Sequence, residues 1–312
     1  MNIPERAPIP QPQENDAGLP AQPTAQPLTA LNENLAENPG RPELNPESAV
    51  GPASPGNAPA LPPDLRSPLH GFDLLFLILF YLVGGVVLYI VVAGAAMALF
   101  GVSVTALEES AAARTSLLIV SQALLSGATV AFLYGIIRSR GTMNFWPAVG
   151  WRPLGGTMAR SALVMRYVFL GILLAFAVGY VSRFLDQDLN LPMEGLFRNR
   201  QSALLLMALG ILVAPIVEET VFRGCIYPVL ARKFGVGLGV AATGILFGLA
   251  HAPQLWPGIG QIALLMGVGT TLTYIRARAG TVTASYLVHL GYNTVLFAGF
   301  FLATGGLRHL PS

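Results

Sequence analysis

The 312-residue chain holds one cysteine and one lysine, and only 11% of its residues are charged. Each shortage excludes something. A lone Cys225 rules out an intrachain disulfide and a cysteine-rich metal site, and it is expected as a small buried hydrophobe. Soluble globular chains carry about 25% charged residues, so an ordinary soluble domain is excluded and a multi-span membrane protein is predicted. No positively charged start leads into an apolar core, so no cleavable signal peptide is expected. From residue 67 onward there are 15 basic against eight acidic residues. Those charges sit between apolar runs, which fits loops facing an anionic leaflet rather than a nucleic-acid stripe, and no nucleic-acid partner is expected.

What is abundant divides the chain in two. Residues 1–68 hold 16 of the 24 prolines, with eight acids against three arginines and no apolar periodicity. Such a composition buries too little apolar surface to offset ordering entropy, and it predicts a disordered, partly polyproline-like N-terminal tail. Residues 69–312 are expected to form an all-α, polytopic transmembrane helix bundle. Apolar runs place about seven spans there, at 72–100, 115–137, 162–185, 202–231, two within 234–275, and 279–303. Two prolines and a glycine in 251–258 mark the division of the 234–275 run. Pro215 leaves the fourth span either continuous or broken.

Arginine placement orients the bundle. The loop with Arg138, Arg140, Arg152 and Arg160 contains no acid. Placed in the cytoplasm, it carries the N-terminus, Arg232, Lys233, Arg276 and Arg278 to the same side. A multi-pass protein of a bacterial plasma (inner) membrane with a cytoplasmic N-terminus is the expectation. Trp146 and Trp151 in that loop are expected as interface anchors.

Within the fourth apolar run stand Glu218, Glu219 and Arg223, three ionisable groups in six residues. Each costs roughly 2.5–3.5 kcal/mol at bilayer depth on insertion scales, so function is the default reading. Glu219 and Arg223 lie four apart with the acid first, the favourable order for an ion pair. Glu218, about 100° around the helix, is left for chemistry. His251 and His289 occupy equally apolar settings, and Asn293 shares the face of His289. Gly244 and Gly248 form a small-xxx-small pair that admits a close neighbour. Counting about 1.5 Å per residue from the basic ends puts Glu218, His251 and His289 in one layer to within a turn.

These residue types suit hydrolysis of a peptide bond. Glu218 can act as general base, His251 can hold the same water, and His289 with Asn293 can donate to an oxyanion. The set Glu218, His251 and His289 can equally hold zinc, although no His-Glu-x-x-His helix is present. A proton-coupled transporter is a further alternative, but no internal repeat supports it. A non-catalytic immunity protein retaining the same scaffold is another.

Three segments carry a resemblance: Glu218-Glu219-Thr220-Val221-Phe222-Arg223-Gly224, Phe247-Gly248-Leu249-Ala250-His251 and His289-Leu290-Gly291-Tyr292-Asn293. In this order they resemble the motifs of the CAAX-protease and bacteriocin-processing (CPBP, or Abi) family, over residues of about 204–300. The resemblance implies an intramembrane endopeptidase acting on membrane-associated peptides or lipid-modified proteins. It favours a glutamate-activated water with no required cofactor over bound zinc. Carried over by position, Glu218 and His251 would activate water, His289 and Asn293 would stabilise the oxyanion, and Glu219 with Arg223 would support the site.

Overall fold

The computed structural model describes Pro62 and residues 65–310, apart from 142–143, 186–188, 190 and 198. Most of the expected tail therefore lies outside the described residues. The described part is all-helical.

Helix α1, Gly71–Phe100, ends at Gly101 in the left-handed conformation that suits glycine. Its only buried residues are Asp73 and Leu77, so nearly all of its apolar surface is left for lipid. A short α2, Val104–Glu109, leads into α3, Ala111–Ser139, whose first turn is capped by Ser110. Phe80 stacks on Phe132 at 4.3 Å to join α1 to α3. At the basic end, Arg140 closes the same pair by donating to Asp73 at 2.7 Å. Leu65 and Leu69 are buried, and their carbonyls accept from Arg232.

After α4, Phe145–Ala148, come α5, Arg160–Ser182, and a 3₁₀ turn at Pro192–Phe197. Then α6, Arg200–Phe234, runs for 35 residues as one rod. Pro215 does not break it. Instead the rod widens into π-helix at Leu209–Val213 and again at Thr220–Ile226. Helix α7, Val236–Ala250, ends at His251, and the short α8, Ala252–Leu255, makes the turn. The bundle finishes with α9, Ile259–Ala279, and α10, Val282–Ala303.

All seven expected span positions carry helices, and five of these are long and apolar enough to cross a bilayer. The two others are α7 and α9. With 15 residues, α7 reaches about 22 Å, short of a hydrocarbon core of about 30 Å. Helix α9 is long enough, but its threonines and arginines lower its apolar character. Thr270 and Thr273 return their hydroxyls to carbonyls four residues back, at 2.8 and 2.7 Å.

Two glycine crossings set the spacing of the site-bearing helices. A Cβ on Gly244 would stand 2.1 Å from Thr270 Oγ1, and one on Gly248 would stand 2.4 Å from Met266 Cγ, so α7 lies directly on α9. This is the close approach expected of the Gly244/Gly248 pair. Gly171 and Gly291 do the same for α5 and α10, where a Cβ would meet the Val288 or Val168 carbonyl at 2.0 or 2.4 Å.

Candidate active site

Glu219 is fully buried on α6, and its Oε1 accepts from Arg223 Nη1 at 2.9 Å. The guanidinium, also without exposure, donates through Nη2 to the Gly269 carbonyl of α9 at 2.9 Å. It lies 4.5 Å from the centroid of the Phe247 ring. Burying an ion pair costs desolvation that only further hydrogen bonds and close geometry offset. Here a carbonyl and an aromatic face supply part of that compensation, while Glu219 Oε2 and Arg223 Nε stay without a hydrogen-bond partner among the described residues. The four-residue spacing spans the start of the second π segment and still closes the pair.

The same Glu219 Oε1 is 3.0 Å from His289 Nδ1 of α10. An anionic carboxylate can only accept, so Nδ1 carries the proton and Nε2 is directed elsewhere. Nε2 lies 3.7 Å from Glu218 Oε2. The imidazole thus stands between two neighbouring glutamates, one sealed and one whose side chain is 27% exposed. Sequence spacing assigned Glu219 to Arg223 alone; its second partner comes from a helix 70 residues away.

His251, at the end of α7, places Nδ1 2.8 Å from the Phe247 carbonyl. A carbonyl accepts, so this nitrogen donates, and in the neutral ring Nε2 carries the lone pair. Phe247 lies against both imidazoles, with centroids 4.8 Å from His251 and 5.9 Å from His289. In the sequence Phe247 is only the first residue of the segment that ends at His251; its contacts make it the floor between the two histidines and the arginine.

Asn293 Nδ2 donates to the Gly210 carbonyl at 2.7 Å. The reason is local. Ala214 sends its N–H to Leu209 in the wide π turn, and Pro215 has no N–H to offer. Asn293 takes up the carbonyl, which leaves its amide one further N–H. His289 and Asn293 thus each spend one donor on the scaffold.

Glu218, His251, His289 and Asn293 all line one cavity of about 410 Å³. Its walls are otherwise mainly apolar, with Phe247, Phe297, Phe300 and Leu265 among them, and Glu194 and Phe197 of the 3₁₀ turn also contribute. Pockets of about 300–1,000 Å³ with a few convergent polar groups on apolar walls are typical of small-molecule and peptide sites. Among the described residues, no three histidine, cysteine or acidic side chains gather as a metal site. Cys225 is fully buried in an apolar cluster with Val149, Leu133 and Ile137, as expected of a packing residue.

Residues 200–295 match the family model described as type II CAAX prenyl endopeptidase Rce1-like. No curated protein and no solved structure matches the chain. The Rce1-like segment contains Glu218, His251, His289, Asn293 and the Glu219–Arg223 pair, and it agrees with the family that the three motifs resemble. Five membrane-length helices among the described residues mark a membrane protein, and its segment 200–295 is similar to CAAX-type endopeptidases. Trp151 lies outside the Rce1-like segment. It is not merely an interface anchor, since its Nε1 donates to Thr220 Oγ1 at 2.9 Å, beside Glu219.

Proposed function

We propose that the protein is an intramembrane endopeptidase that cleaves membrane-associated peptides or lipid-modified, CAAX-like proteins by a glutamate-activated water. The observation that carries this reading is the convergence of Glu218, His251, His289 and Asn293, from three helices of an Rce1-like segment, on one largely apolar cavity.

The hydrogen bonds suggest the division of labour. His251 Nε2 and the Glu218 carboxylate both accept, so together they suit the two O–H groups of one water and expose its lone pair for attack. Attack on the scissile carbonyl passes a proton to Glu218 and places negative charge on the carbonyl oxygen. The second N–H of Asn293 donates to that oxygen. His289 joins it only when Nε2 is protonated, and Glu219, held by Arg223, stabilises that imidazolium across the ring. Collapse breaks the C–N bond, and the proton held on Glu218 goes to the leaving amine.

In this reading no resident metal is required. Glu219 is engaged by Arg223, and the Nδ1 atoms of both histidines are engaged by acceptors. The competing zinc reading uses Glu218, His251 and His289. Purified protein assayed on a CAAX-type reporter should keep full activity after exhaustive chelation. Loss of turnover that stoichiometric zinc restores would replace the glutamate mechanism with a metal-assisted one. If the reporter and a membrane-wide search for precursors accumulated by Glu218→Gln both come up empty, the protease reading itself fails. We place the protein in a bacterial plasma membrane with Arg138, Arg140, Arg152 and Arg160 on the cytoplasmic side.

A further inference from the structure

The loop Val149–Gly150–Trp151–Arg152 lies outside the Rce1-like segment, yet it meets three helices of that segment. Its Val149 carbonyl packs on Gly224 of α6 so closely that a Cβ there would stand 2.5 Å from it. Gly150, at a φ of +82°, leaves room for the Arg276 guanidinium of α9, whose Nη2 would lie 3.0 Å from an added Cβ. Gly150 O accepts from Val282 N at 2.9 Å. Arg152 N donates to Thr281 Oγ1 at 3.1 Å, and its carbonyl accepts from Thr283 Oγ1 at 2.7 Å. The loop is therefore clasped to the first turn of α10, the helix that carries His289.

Trp151 occupies the middle of this clasp. Its Nε1 donates to Thr220, and that hydroxyl in turn donates to Ile216 O at 2.7 Å. Thr220 follows Glu219 directly and is fully buried. The indole also lies 5.3 Å from the ring of Tyr286, one turn before His289. One side chain thus touches the neighbour of Glu219 on α6 and the neighbour of His289 on α10. We propose that Trp151 is a positioning residue, which sets the Glu219–His289 contact and through it the imidazole that faces Glu218. Its bearing on turnover rests on the protease reading above; its bearing on the histidine does not.

The test reads His289 directly. Full-length protein is labelled with ¹⁵N in the histidine rings, and the four histidines are distinguished by a His289→Gln reference. Trp151→Phe keeps the ring and loses the donor; Thr220→Val loses the hydroxyl from the other side, so the test does not hang on one variant folding. Both should alter the hydrogen-bonded Nδ1 signal of His289, while melting stays near wild type. Thr220→Ser should retain the wild-type signal. The double variant should be no worse than the poorer single. On a cleaved reporter, kcat should fall about 10-fold to 100-fold with KM unchanged, as for a small misplacement of a reacting group. An unchanged His289 signal in both Trp151→Phe and Thr220→Val overturns the proposal, whatever happens to activity. An altered signal in a protein that cleaves nothing leaves the positioning role standing and removes the protease reading.

Discussion

Glu218 and Glu219 are adjacent in sequence but face different surroundings and differ in their hydrogen bonding. Glu219 is sealed between Arg223 and His289, whereas Glu218 borders the cavity. Glu218→Gln is nearly isosteric and should abolish cleavage with no loss of melting temperature. Glu218→Gln that retains turnover would move the base to another group. Arg223→Ala should behave in the opposite way. It leaves a buried carboxylate without its cation, at a cost of about 3–5 kcal/mol, so folded yield in detergent should drop together with activity. A normal yield with activity alone lost would place Arg223 in the chemistry instead. Asn293→Ala should cut the rate by roughly 10²–10³ if its free N–H meets the oxyanion. Because the same amide holds Gly210, some loss of thermal stability should accompany it.

At the level of elements, the positions of the helices were legible because apolar run length reports directly on the bilayer. The turn after His251 was legible for a similar reason, since prolines and glycine punctuate an otherwise unbroken run. The Gly244/Gly248 crossing followed from spacing alone. What hydropathy does not encode is backbone register. Pro215 was visible as a possible break, but whether a rod breaks or widens depends on who takes the released carbonyl, and Asn293 lies 83 residues away from Gly210. The Glu219–His289 contact escaped for the same reason: the ion pair with Arg223 already accounted for the acid. Trp151, an amphipathic residue in a basic loop, matched the pattern of an interface anchor and gave no sign of its bond to Thr220. Pro215→Ala tests the register argument. Restoring the N–H should let the turn tighten and release Gly210 from Asn293, so activity should fall while melting holds or rises. Equal activity would show that the π turn does not shape the site. Gly244→Val, by contrast, drives a side chain into Thr270 and should lower melting temperature, since overpacking costs about 1–3 kcal/mol or more.

For the molecule as a whole, the asymmetry of charge predicts its orientation. A cysteine introduced at Gly155, in the arginine-rich loop, should resist membrane-impermeant maleimide in intact cells and react once the membrane is opened. Reaction from outside intact cells would invert the topology. No background substitution is needed in native protein if Cys225 stays silent, and its burial says that it should. That burial has a wider use. Cys225 is fully buried in one apolar cluster with Val149, at the root of the loop that clasps α10 to α6, so a thiol reagent should reach it only when those layers part. The chain therefore carries its own clock. The rate at which a small permeant reagent modifies Cys225 counts excursions in which the bundle opens beside the Glu219–Arg223 pair, and any ligand that holds the helices together should slow that clock in proportion to its occupancy.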